Sequence, residues 1–84
     1  MGREEKLLFR ILSGLSDANI AFDELREFLK GLGFEERTRG SHHLFRREGV
    51  AELINLQRDG AKAKPYQVRQ VRSVIVKYRL IKED

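Results

Sequence analysis

Hydrophobic periodicity changes at Gly33, and that change limits the folds open to this 84-residue chain. Before it, Phe22, Leu25, Phe28, Leu29 and Leu32 fall at i, i+3, i+6, i+7 and i+10, which is one face of a helix. After it the helical stripe stops. Three short runs follow, "FEERTRG", "SHHLFRR" and "VAELINL", punctuated by Gly40 and Gly49. Short, partly alternating runs between single glycines predict an antiparallel three-stranded meander.

The rest of the chain frames this meander. "EEKLLFRILSGL" carries Leu8, Ile11, Leu12 and Leu15 at helical spacing, with Gly14 as a stop. Ser16 or Asp17 opens a turn before the second helix. "QRDGAKAK" is expected to be a polar loop. Pro65 suits the first turn of a final helix, where its missing N–H costs nothing. Val68, Val71, Ile75 and Tyr78 mark that helix's buried face, with Val74 beside it. The order is helix, helix, three strands, helix, in a single domain over residues 1–84. Two helices on one side of a three-stranded sheet leave its other face open. The expected fold class is α+β, with the layout of a double-stranded-RNA-binding domain over 16–84 and an added N-terminal helical extension over 1–15.

Composition narrows the function. The chain has no cysteine, so disulfides and thiolate metal sites are excluded. No apolar run approaches the ~18 residues of a membrane span, and no signal-peptide pattern is visible, so a cytoplasmic protein without membrane contact is expected. Charge is segregated along the chain. Residues 1–36 carry five basic and eight acidic residues, whereas residues 37–84 carry twelve basic and five acidic. Basic charge confined to one part of a small domain is the electrostatic footprint of a polyanion partner.

The two histidines, His42 and His43, are adjacent and follow Gly40 and Ser41. Strand alternation puts His42, Leu44 and Arg46 on one face and His43, Phe45 and Arg47 on the other. Phe45, the largest apolar residue of the run, assigns its own face to the core and His42 to the open face. A histidine there suits RNA cleavage. RNA carries its own nucleophile, the 2′-OH beside the scissile phosphate, so a protein need only move protons and stabilise charge on phosphorus. Arg37 and Arg39 are candidate phosphate contacts, Gly40 permits the turn that presents His42, and Ser41 or His43 is a candidate second proton carrier. Residues adjacent on a strand point to opposite faces, so His42 and His43 are not expected to share a metal ion.

A second anion site is expected in "DGAKAKPYQVRQVR". Lys62 and Lys64 precede a helix whose first N–H groups are free and whose dipole favours phosphate. Arg69 and Arg72, one turn apart, would extend that track. The same basic surface equally suits a non-catalytic RNA-binding module, and an open sheet face equally suits a protein partner.

"GFEERTRGSHHLF", followed by "ELINLQ" and "KAKPYQVRQVR", resembles the HicA family of toxins from bacterial and archaeal toxin–antitoxin pairs, over roughly residues 16–80. The resemblance implies a double-stranded-RNA-binding-like fold and cleavage of messenger RNA with neither metal nor cofactor. It also implies neutralisation by a HicB-type antitoxin. The family's essential histidine directly follows Gly-Ser, which here is His42. His43 occupies a position that is often histidine, and the segment before Ser16 is longer than in the shortest members.

Overall fold

Helix α1 (Arg3–Ser13) ends where Gly14 takes the left-handed conformation, φ 73°. The computed structural model of the chain describes residues 2–81. A 3-10 turn (Asp17–Asn19) leads to α2 (Phe22–Gly31), and five strands follow: β1 (Glu35–Arg39), β2 (His42–Arg46), β3 (Ile54–Leu56), β4 (Arg58–Asp59) and β5 (Lys62–Ala63). The long helix α3 (Pro65–Tyr78) closes the order. Strands β1, β2 and β3 form an antiparallel sheet in sequential order, and β4 and β5 form a separate hairpin. The protein is therefore a small α+β domain with three helices and a three-stranded antiparallel sheet.

The core lies between the helices and one face of the sheet. Phe22, Leu25 and Leu29 from α2, Val68 and Val71 from α3, and Phe45, Ile54 and Leu56 from the sheet are all fully buried. The alternation within β3 is complete, since Ile54 and Leu56 are buried and Asn55 between them is exposed. Helix α1 contributes Leu7 and Ile11 to the same core cluster, so the N-terminal helix is part of the core rather than an appendage.

Four expectations need correction. On α1 the buried pair is Leu7 and Ile11, while Leu12 and Leu15 are exposed, because only one flank of the helix meets α2 and α3. The third strand begins at Ile54 rather than Val50. The preceding backbone is held elsewhere, the Ala51 N–H donating to the Tyr78 hydroxyl (3.2 Å). "QRDGAKAK" is a hairpin rather than a loop. Asp59 pairs with Lys62 across Gly60, whose φ is 63°, and Ala63 is buried beside α2, its N–H donating to the Ile20 carbonyl (2.9 Å). An Asp-Gly pair between strands is a strong short-range hairpin signal.

The fourth correction concerns Arg72, expected on a phosphate track. Its guanidinium donates to both carboxylate oxygens of Asp17 (2.9 and 3.2 Å) and to the Ile11 carbonyl (3.0 Å). It thus ties α3 to the 3-10 turn and to the last turn of α1, where helical carbonyls lack partners. Arg72→Ala removes all three contacts from a half-buried site and leaves Asp17 unpaired. A loss of about 2 kcal/mol is expected, set below the fully buried case because both partners retain some solvent contact. Urea denaturation measures it, and a loss below about 0.5 kcal/mol would contradict this structural role.

Candidate nucleic-acid interface

Strand register decides which side chains share a face. Across β1 and β2 the pairs are Glu35 with Arg46, Glu36 with Phe45, Arg37 with Leu44, Thr38 with His43, and Arg39 with His42. Across β2 and β3, Leu44 faces Asn55 and His43 faces Leu56. Phe45 and Leu56 are buried, so Glu36, Thr38 and His43 lie on the helix side. The opposite, open face carries Glu35, Arg37 and Arg39 from β1, Arg46, Leu44 and His42 from β2, and Asn55 from β3. The expected orientation of the two histidines therefore holds.

The hairpin tip is a two-residue turn, Gly40-Ser41. Gly40 has φ 57°, the positive value that a tight hairpin turn of this length requires at its first position. This places His42 at the start of β2, directly opposite Arg39. His42 Nδ1 lies 3.1 Å from the Asn55 side-chain oxygen. With that oxygen as acceptor, Nδ1 carries the hydrogen and Nε2 keeps its lone pair. The ring is exposed and oriented from behind, an arrangement suited to accepting a proton from a bound molecule.

His43 has a different environment. Its Nδ1 donates to Glu36 Oε2 (2.8 Å), and its ring stands edge-on to Phe22 with centroids 5.0 Å apart. Glu36, only 8% exposed at its side chain, is a hub. Arg26 donates to both of its oxygens (2.6 and 2.9 Å), and Lys30 lies 3.4 Å away. The hydrogen bonds from Arg26, aided by those from His43 and Lys30, outweigh desolvation and hold the Glu36 carboxyl at about 2, far below its ordinary 4.5. The same bonds raise the Arg26 guanidinium above its usual value. His43 is a clamp between sheet and helix, which removes it as a proton carrier on the open face.

The remaining expected residues divide into two groups. Ser41 Oγ accepts from Gln57 Nε2 (3.2 Å), and Lys64 Nζ lies 3.5 Å from Gln57 Oε1, so one glutamine links the hairpin tip to the start of α3. Lys62 instead donates to Asn19 Oδ1 (3.0 Å) at the 3-10 turn. Arg69 is exposed on α3, and no hydrogen bond among the described residues joins it or Lys62 to the histidine face. Lys82, the basic residue nearest the C-terminus, lies outside the described residues.

Asn55 and Gln57 were not picked out from the sequence. Their signal was the alternation in "INLQ", which puts polar side chains opposite buried Ile54 and Leu56. The buried Gln67 was also missed. Its amide pairs with the Gln57 backbone, donating to the carbonyl (3.1 Å) and accepting from the N–H (2.9 Å), the orientation that satisfies both ends. Gln57 is thereby anchored by α3.

Among the described residues, no three histidine or carboxylate side chains come together as a metal-ligand set, and no helix is long and apolar enough to cross a membrane. No family model, curated protein or solved structure matches the chain.

The Glu36 hub predicts acid sensitivity of a definite sign. The folded carboxyl titrates at about 2 rather than 4.5, so its contribution is complete above about 4.5 and drains away as pH falls towards about 2. Glu36→Gln lacks that contribution. It should be less stable at neutral pH by about 2–3 kcal/mol and should converge with the parent protein near pH 2. Urea midpoints across this window test it, and parallel curves for the two proteins would refute it.

Proposed function

We propose that the chain is a HicA-type ribonuclease toxin with a double-stranded-RNA-binding-like fold, acting on messenger RNA in the cytoplasm and restrained by a HicB-type antitoxin. One observation carries this proposal. An exposed histidine, oriented through Nδ1 by Asn55, stands directly opposite Arg39 on a sheet face that also presents Arg37 and Arg46. Proton acceptor and anion-binding groups therefore occupy the same surface at strand spacing.

The chemistry follows from those positions. His42 Nε2 takes the proton of the RNA 2′-OH as the 2′-oxygen attacks phosphorus. The bond from phosphorus to the 5′-oxygen breaks, and water or the Ser41 hydroxyl delivers a proton to the leaving oxygen. The products are a 2′,3′-cyclic phosphate and a 5′-hydroxyl. Arg39, across the strand pair from His42, stabilises the additional negative charge on the phosphoryl oxygens. A metal is not required by this route, since the nucleophile belongs to the substrate and the charge is met by guanidinium.

His42→Ala should reduce RNA cleavage by at least about 10²-fold and abolish growth inhibition on expression, with an unchanged melting temperature. His43→Ala should act differently, lowering stability through loss of the Glu36 contact. Cleavage by the parent protein should persist in excess EDTA. Gel analysis of a defined transcript, with and without chelator, tests the cleavage statements, and thermal melting of both variants and growth on induction test the others. Cleavage by a well-folded His42→Ala protein would refute the assignment. Retained RNA binding by a parent protein that never cleaves would favour a non-catalytic RNA-binding module on the same surface.

A further inference from the structure

Three arginines elsewhere in the fold are committed to carboxylates, and those of the open face are not. Arg10, Arg47, Arg69 and Arg79 share that trait among the described residues, whereas the open-face three combine it with a common groove. Arg26, Arg58 and Arg72 are each paired with a carboxylate, at 2.6, 2.7 and 2.9 Å respectively. Among the described residues, Arg37, Arg39 and Arg46 have no carboxylate within ion-pairing distance. They nevertheless line one groove of about 360 Å³ with Glu35, Leu44 and Leu53. Three cations face a single carboxylate there, and the surface is not neutralised from within the chain. Leu44 is half-buried and Leu53 is 44% exposed, so the groove also has an apolar floor.

We propose that this groove is the track of a single RNA strand along the β1–β2 seam. Its phosphates would rest on Arg37, Arg39 and Arg46, with the bond to be cut at the Arg39–His42 end. The proposal rests on the ribonuclease function argued above and names the form of its substrate and its path. Three observations favour a single strand. Arg37 and Arg39 lie two residues apart on β1, roughly 6.7 Å, a spacing suited to successive phosphates of an extended strand. The strand pair is five residues long, roughly 17 Å, and is too short to engage two successive minor grooves of an A-form helix. The chemistry adds a third reason. The 2′-oxygen, phosphorus and 5′-oxygen must come into line, and an A-form duplex holds the backbone away from that geometry, whereas a free strand can rotate into it. Leu44 and Leu53 offer the sugar or base an apolar contact that a phosphate-only site would not need.

The test uses the His42→Ala protein, so that substrate survives, and fluorescence anisotropy against salt. The probes are an unstructured labelled RNA and a hairpin duplex of matched length. Binding of the unstructured RNA should be clearly tighter. Arg37→Gln/Arg46→Gln should weaken it and lower the slope of log K against log salt by about 1.4, two contacts at about 0.7 each. Arg37→Lys/Arg46→Lys should restore most of the slope, which separates charge from any change in folding. Lys6→Gln, at an exposed position of α1, should leave the slope unaltered. An unchanged slope in the double glutamine variant, or equal affinity for duplex, overturns the track. If the parent protein still cleaves RNA in that case, the ribonuclease function stands without it. If the parent neither binds nor cleaves RNA while polyglutamate binds the groove in an Arg37- and Arg46-dependent way, the surface is a protein interface. Both proposals then fall together.

Discussion

The Glu36 carboxylate is the interaction on which the rest of the architecture depends. It receives Arg26 and Lys30 from α2 and His43 from β2, while its own backbone belongs to β1. Three elements thus meet at one nearly buried charge. A domain of this size buries a limited fraction of its surface, so its apolar core alone fixes helix-to-sheet orientation weakly. A charge that is satisfied in only one arrangement adds orientation. An ion pair of this kind contributes less to net stability than its short distances suggest, because desolvation opposes it. Its consequence here is positional. The residue clamped from below, His43, is the immediate neighbour of His42.

That adjacency explains why two histidines stand side by side. Alternation along β2 sends them to opposite faces, so a single dipeptide supplies an inner anchor and an outer, exposed imidazole. Fixing His43 against Glu36 and Phe22 fixes the backbone that carries His42. The tight Gly40-Ser41 turn limits the other end of the same short segment, and Asn55 orients the ring itself. His42 is held through its backbone on both sides and through Nδ1, while Nε2 has no hydrogen-bond partner among the described residues.

Much of this was legible in the sequence, for identifiable reasons. Helical spacing in Phe22–Leu32 and in Val68–Tyr78 located α2 and α3, because each helix buries a stripe against the sheet. Gly33 and Gly40 bracketed β1 and Phe45 set the inner face of β2 correctly, whereas Gly49 stands well before the start of β3. What escaped was long-range pairing. Nothing local marks Arg72 as the partner of Asp17, 55 positions away, or Glu36 as the partner of Arg26. Arginines committed to structure and arginines left free look alike in a one-dimensional charge count. The small β4–β5 hairpin also escaped, since polar residues dominate it and its burial rests on Ala63 alone among its strand residues. In the candidate site, His42 was visible through alternation and Arg37 and Arg39 through their charge beside it, whereas Asn55 and Gln57 matter through contacts across strands.

The distribution of paired and unpaired arginines carries the remaining physical point. On the helix side, Arg26, Lys30 and His43 meet Glu36, and Arg72 meets Asp17, and the domain gains orientation from them. On the open face, Arg37, Arg39 and Arg46 are held near one another by backbone register, and among the described residues Glu35 is the one acidic residue lining their groove. Clustered like charges repel, and the backbone spacing of Arg37 and Arg39, roughly 6.7 Å, lies within the screening length of about 8 Å at physiological ionic strength. The fold therefore carries an electrostatic cost on this face that a polyanion would relieve on binding. Local departures from an otherwise self-consistent charge pattern are expected where a surface serves a ligand rather than the fold. The helix-side network fixes the sheet, and the fixed sheet keeps the unpaired charges in register.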